Sequence, residues 1–279
     1  MPTAIPAALV FAILAPREAI AAFRRRELLT TFAWQDLWQE EHARAFTVAK
    51  LLRLDLLKFV RDELDRAIEQ GTPLSEFVRA LRPRLAEAGW WGTREVIDPS
   101  TGQIARTTFD ASRLRLIYDV NLRQSYAAGR WQRIERTAEA GTLIYYRTMR
   151  DERVRQSHKA WDGVALPPGH PFWRTHYPPN GWRCRCVAYA VTPEQLQRLR
   201  RAGMPVRTDA PPVVMVPWRN RQTGEVVNVP AGIDPGFGYN AGRAAGDNLP
   251  GLVNDAARWL PPGSREAAVR DALRPPEDS

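Results

Sequence analysis

The sequence predicts an α+β chain: a helical N-terminal region followed by a mixed domain with short hairpins and a long ordered loop. Three observations predict it. Apolar residues recur at three- and four-residue steps over most of the first ninety positions, as on helix faces. Two later stretches, REVIDPSTGQIART and VPWRNRQTGEVVNVP, set turn residues between strand-like runs, the pattern of β-hairpins. Residues 150–191 have no long periodic run, yet they hold His158, His170, His176, Cys184, Cys186, Trp161, Trp173 and Trp182. A structureless loop of that length is unusual in a compact domain, so something specific must order it.

The elements follow in order. Pro16 opens a short helix that three arginines, Arg24 to Arg26, close. From Trp34 the apolar spacing predicts one long helix, through Phe46, Leu56, Val60 and Leu64 to a stop at Gly71. Thr72-Pro73 caps the next helix, which runs to about Ala88 with Pro83 as an expected kink and Gly89 behind it. This makes residues 1–90 an all-helical region. The first hairpin turns at 98–102. Asp110 or Ser112 then caps a helix to about Glu139, in which Gly129 costs about 1 kcal/mol against alanine and implies a close packing partner. Gly141 ends it, and Leu143–Met149 is strand-like. Thr192-Pro193-Glu194-Gln195 reads as a capping box. The second hairpin, with Thr223-Gly224 at its turn, a weak tail helix near 252–259 and a disordered RPPEDS end complete residues 201–279.

Composition narrows the function. The chain has 279 residues, room for one large or two ordinary domains. Hydrophobic content of 44% and charged content of 25% exclude global disorder, and 23 prolines with 18 glycines argue against a pure helical bundle. Two cysteines exclude a disulfide-rich scaffold. Cys184 and Cys186 are too close in sequence for a relaxed disulfide, which leaves a reducing compartment, a metal site or inert thiols. The first sixteen residues look superficially like a signal peptide but lack a basic start, and the cations follow the apolar run. No run of about 18 apolar residues exists, so no membrane helix is expected and the chain is placed in the cytoplasm of the cell that makes it.

The formal charge is +9, and its distribution is uneven. Residues 1–110 are neutral, residues 111–210 carry +10, and residues 211–279 carry −1. A segregated basic block suits an anionic partner, nucleic acid being the usual one. An arginine-rich solvated surface is the plainer reading; it explains why arginine replaces lysine but not why the cations cluster.

The central block reads YDVNLRQSYAAGRW, then YYRTMRDERVRQSHKAWDGVALPPGHPFWRTHYPPNGWRCRC. Here the chain resembles the phage head morphogenesis family, in its Mu-type branch. The matching positions include Asn121, Arg123, Gly129, Arg130, Asp151, Arg153, His158, Gly163, the Pro178–Trp182 stretch, Cys184, Arg185 and Cys186. EEHARAFTVAK near the N-terminus and IDPGFGYN near the C-terminus also look like Mu-type members, so the resemblance spans roughly residues 16–242, with the family core in 91–200. It implies a minor capsid protein of a phage or prophage, present in the virion and in the host cytoplasm during assembly. Its implied partners are portal and capsid proteins, docked through apolar helical surface, with packaged phage DNA on the basic block and no membrane. One departure stands out: Arg155 and His158 occupy the places of a Cys-x-x-Cys pair that other branches look to carry.

Three site readings follow. His158, His176, Cys184 and Cys186 offer the two nitrogens and two sulfurs of a closed structural zinc site, which would order the long loop. Against it, both cysteines serve as small buried residues, no cofactor is needed, and the histidines bond loop backbone. DNA contact falls to Arg123, Arg130, Arg133, Arg153, Arg155 and Arg185, with Trp161, Trp173 and Trp182 either stacking on bases or forming the small core of the loop; their spacing favours the core. Asp151, Arg153, His158 and Asp162 resemble the toolkit of a nuclease or transferase, but no phosphate loop, nucleophile elbow or His-Glu-x-x-His motif appears. No catalytic residue is assigned, and ion pairing is the expected role of these four.

Overall fold

The computed structural model describes residues 17–245. The leader-like start, the tail helix expected near 252–259 and the RPPEDS end lie outside the described residues. Helix α1 (Arg17–Arg24) buries Ala19, Ile20, Ala22 and Phe23 along one side. Strand β1 (Glu27–Leu28) pairs in parallel with β2 (Ala45–Phe46). Between them lie a 3-10 turn (Trp34–Asp36) and the single-turn α2 (Glu41–Arg44).

The single helix expected over 34–71 is therefore corrected, and with it the all-helical reading of the first ninety residues. Short carboxylates capture the amides that a helix would need. Asp36 Oδ2 accepts from the amides of Phe32 and Ala33 at 2.7 and 2.9 Å, and Glu41 Oε2 accepts from Trp38 N. Gln39 and Lys50 adopt positive φ, which no helix interior allows. The tryptophans that imitate a helical stripe serve another purpose: Trp38 stacks on Trp218, with centroids 5.4 Å apart. Helix α3 (Leu54–Gln70) starts only after this segment and stops, as expected, at Gly71 in the left-handed region.

Helix α4 (Leu74–Glu87) has Pro73 as its cap rather than its first residue, and Pro83 lies within it. Strands β3 (Gly92–Ile97) and β4 (Ile104–Phe109) form the first hairpin, with Asp98 Oδ1 accepting from the amide and hydroxyl of Ser100 at its turn. Asp110 caps α5 (Ala111–Thr137) by accepting from Arg113 N at 2.8 Å.

Strand β5 (Leu143–Arg147) is the centre of a three-stranded antiparallel sheet, flanked by β6 (Ala165–Leu166) and β7 (Val187–Val191). Both flanking strands lie in the stretch where the sequence shows no periodicity; five residues or fewer are too short to show one. The same stretch holds the single-turn α6 (Gln156–Lys159) and a 3-10 turn (Pro171–Arg174). Helix α7 (Pro193–Arg201) carries the expected Thr192–Gln195 capping box. The second hairpin is β8 (Met215–Arg219) with β9 (Val226–Pro230), and α8 (Ala241–Ala244) follows.

Two apolar cores share one wall. The first gathers α1, α3, α4 and the first hairpin around Phe23, Leu57, Leu81 and Phe109, and takes Leu114 and Ile117 from α5. The second gathers β5, β6, β7 and the long loop around Trp173, Tyr146 and Phe172, and takes Ala127, Trp131 and Ile134 from the same helix. Helix α1 crosses α5 at Gly129, where backbone meets backbone, the close approach the glycine implied. The helix faces of the N-terminal half are thus largely consumed by the core. Among the described residues, Ile97 opposite Ile104, and Met215, Val216 and Val226, are large apolar side chains left exposed on the hairpins; Val213 and Val214 lie just before β8, and Leu29, Leu54, Met149 and Met204 are exposed elsewhere.

Candidate metal centre

The long loop is tied down at several named points. Trp161 and Trp173 are buried and Trp182 is partly so, which supports the core role over base stacking. Asn180, fully buried, accepts from the Tyr146 hydroxyl at 3.0 Å and donates to Thr175 O. Asp162 accepts from Thr148 N at 2.8 Å and pairs with Arg150. Arg155 makes a two-pronged pair with Asp234, both contacts 2.8 Å, and Asp234 Oδ2 also accepts from Trp182 N. The IDPGFGYN stretch thereby reaches back some eighty residues to lock the loop.

Within this frame α6 carries His158 and the turn after Trp182 carries Cys184 and Cys186. One ligand atom from each of the three lies within 4.8 Å of the others, and all three residues are buried. His158 Nδ1 stands 3.6 Å from Cys184 Sγ and 3.6 Å from Cys186 Sγ. Its Nε2 lies 3.0 Å from Gly232 O. A carbonyl can only accept, so Nε2 carries a proton, and Nδ1 is the nitrogen that faces the two sulfurs.

Hydrogen bonding to Cys186, and then to His158, holds the Cys184 thiol well below its usual range, while the neighbouring Cys184 pushes Cys186 up. Ionising one thiol thus opposes ionising the other. A cavity of about 30 Å³, walled by Met149, Arg153, Arg183 and these three residues, opens beside them and has room for one water-sized group.

His176 is not brought to this group. It sits across Trp161, whose ring centroid is 4.8 Å from each imidazole, and it stacks on Phe172 at 4.4 Å. Its Nδ1 is bonded to Thr175 Oγ1 at 2.8 Å. Burial first, and the nearby His158 second, lower its pKa to about 4, so it is neutral at pH 7.

The six arginines assigned to DNA are placed differently from one another. Arg133 pairs with Glu18 at 2.9 Å, Arg155 with Asp234, and Arg185 with Asp151 at 2.6 Å. Arg130 donates to Ala188 O. Arg123 and Arg153 have no ion pair among the described residues. Glu18, whose carboxyl Arg133 and Arg136 together hold down to about 2, and Asp234 are the partners that sequence reasoning missed; both lie far along the chain from the cations they bind. Neither nitrogen of His158 meets a carboxylate, and Asp151 and Asp162 are each committed to an arginine.

Residues 58–189 match the family described as "Phage Mu protein F like protein". The chain is 38% identical over 186 residues to "Putative capsid assembly protein F" of Escherichia phage Mu, covering 67% of this chain and 42% of that protein. It is 30% identical over 228 residues to "Mu-like prophage FluMu F protein" of Haemophilus influenzae, covering 77% of this chain and 53% of the relative. The chain thus spans about half the length of these curated relatives. No solved structure matches it. The cysteine pair, His158 and α5 all fall inside residues 58–189, the region of the chain that matches the family described as "Phage Mu protein F like protein".

Proposed function

We propose that the chain is a minor capsid component that takes part in assembling the head of a Mu-like phage or prophage. The observation that carries this reading is its 38% identity to a protein named for capsid assembly, within a matched family region. In this reading its partners are capsid and portal subunits, and its place is the virion. The docking surface is not the N-terminal helix faces, which the core consumes, but the exposed apolar edges of the two hairpins at Ile97, Ile104, Met215 and Val226. The role is structural rather than enzymatic, because three of the four groups of the nuclease-like set, Asp151, His158 and Asp162, have architectural partners. Mass spectrometry of purified particles tests the reading: the chain should be present at a fixed ratio to the main capsid protein, and its absence from intact particles overturns it.

Two finer parts belong to the same proposal. The basic block contacts packaged DNA through phosphates, using Arg123, Arg153 and other cations left outside ion pairs. His158, Cys184 and Cys186 hold a zinc ion whose fourth position faces the small basic cavity. Two sulfurs and one nitrogen are suitable zinc donors, and the His158 tautomer set by Gly232 O is the one a ligand needs. The ion would supply the positive charge that lets both thiols ionise, and it would cross-link the long loop.

A further inference from the structure

A second cavity, of about 390 Å³, lies between α5, the segment 45–49 and the loop 236–239. We propose that it is a binding site for a monocarboxylate carried on an apolar or aromatic body. One cation in its wall has no anion beside it, only the Phe23 ring at 5.6 Å and an amide oxygen. Arg26 lies in this wall with 5% of its surface exposed. Its Nη1 donates to Asn121 Oδ1 at 3.1 Å, and its Nε has no partner. It forms no ion pair among the described residues. Burial lowers its pKa, with only the Tyr239 hydroxyl opposing. A buried cation without an anion costs several kcal/mol on the order expected for unpaired ions, and folded chains seldom keep one without a use for it.

The surroundings complete a receptor for one anion. Asn121 is held in place by its own Nδ2, which donates to Ile117 O at 2.8 Å, so its oxygen is fixed on Arg26. Gln124, three residues along the same helix, is 6% exposed and lines the cavity, and its side chain makes no hydrogen bond to a described residue. A carboxylate would accept from both the guanidinium and this amide. Arg113 stands at the far end with Nη2 on Ala49 O and its Nε unpartnered. The other titratable groups facing the cavity do not compensate the charge. His42 is neutral, its pKa lowered to about 4 by burial and by Arg26. Tyr239 is neutral, pushed up to about 12 by burial. Asp110 and Glu40 act only at a distance, on Arg113 and Tyr239.

The rest of the wall is apolar, with Trp34, Ile117, Val120, Trp182 and Phe237. Arg26 is the fully buried guanidinium, with neutral donors beside it, while Arg113 is only partly buried and feels Asp110, so the cavity matches a single negative charge; a phosphate dianion would leave charge unpaired in an apolar cavity. The volume lies within the range of small-ligand pockets and well beyond the carboxylate alone, so the anion must carry a body of about the size of an aromatic side chain. A free organic acid and a carboxylate presented by a peptide share this chemistry.

Trp34 and Trp182 provide the readout. The full chain is titrated with 4-phenylbutyrate, with its amide and with inorganic phosphate, following tryptophan fluorescence. Saturable quenching or enhancement by the acid, at least tenfold weaker for the amide and absent for phosphate, is the expected result. A peptide ending in a free phenylalanine carboxylate, beside its amidated form, separates the sources: tighter binding than the free acid assigns the site to a chain end, weaker binding to a small molecule. Arg26→Met should abolish the response while leaving the Tm of the free chain unchanged or raised, because it removes an unpaired buried charge. Gln124→Leu should weaken binding about tenfold without loss of fold. Equal response to acid and amide, no saturable response to either, or a Tm lowered by Arg26→Met each overturns the proposal.

Discussion

Gly129 meets Ala19 so closely that a Cβ at position 129 would stand 2.5 Å from the Ala19 amide nitrogen. Atoms of two backbones, not side-chain ends, make this contact, so neither helix can yield cheaply. Gly129→Ala gains about 1 kcal/mol of helix propensity and still should destabilise the chain, by about 1–3 kcal/mol net, because overpacking here moves α1 off α5. Urea denaturation of the two proteins decides it; an alanine variant as stable as the parent would mean that α1 sits less tightly than described.

Zinc should be present at one equivalent per chain in protein purified without chelator. It should be absent from Cys184→Ser/Cys186→Ser and strongly reduced in His158→Ala, yet retained in His176→Gln, since His176 lies beyond Trp161. Elemental analysis of the four proteins reads this directly. Retention in the parent with loss in His176→Gln would restore the four-residue set expected from the sequence. A folded parent without zinc removes the metal, leaving two buried thiols beside His158.

Acid should weaken the fold before the carboxylates titrate. The folded pKa values of His42 and His176 lie near 4, below the usual 6.5 of an unfolded histidine. Between those limits the unfolded chain binds protons that the folded chain excludes. The stability is therefore whole above about pH 6.5 and is lost progressively as pH falls toward 4, by about 2–3 kcal/mol for each histidine. Measured in the Cys184→Ser/Cys186→Ser background, which removes metal release, His176→Phe should flatten roughly half of this slope between pH 6.5 and 4. An unchanged slope would mean that His176 is protonated in the folded state.

Binding to duplex DNA should be independent of sequence and should weaken steeply with salt, with a log–log slope of about −0.9 per phosphate neutralised. The full chain is the proper sample, because a fragment of residues 111–210 would strip α1 and α8 from α5. Arg123→Ala/Arg153→Ala should make the slope shallower by about one for each phosphate no longer neutralised, and should leave the fold intact. Arg155→Ala should instead loosen the loop, through Asp234. Gel shifts at several salt concentrations test both; no binding at low salt ends the DNA proposal.

What could be read from the sequence was local. The Asp110 cap, the Gly71 stop, the Thr192–Gln195 box and the two hairpin turns each depend on residues within a few positions, and all stand in the structure. The segment 34–46 misled because Trp34, Leu37 and Trp38 fit helical spacing while their partner, Trp218, lies some 180 residues on. The candidate centre was half legible. Cys184, Cys186 and His158 could be picked as donors, but nothing local separates His158 from His176. The difference is set by Gly232 O, which orients one ring, and by Trp161, which screens the other. Arg26 looked like one of three arginines closing a helix; its burial beside Asn121 needed the third dimension.

The sharing of α5 by two cores has a consequence for how the molecule comes apart. Leu114 and Ile117 belong to one core, Ala127, Trp131 and Ile134 to the other, and the helix between them is continuous. Neither half can melt without removing a wall from its neighbour. Amides in the middle of α5 should then exchange with solvent only through global opening, and the chain should lose both halves in one transition. In the proposed role in a capsid, strain applied at a hairpin on one side would be felt on the other, and the domain would yield as a unit rather than piecemeal.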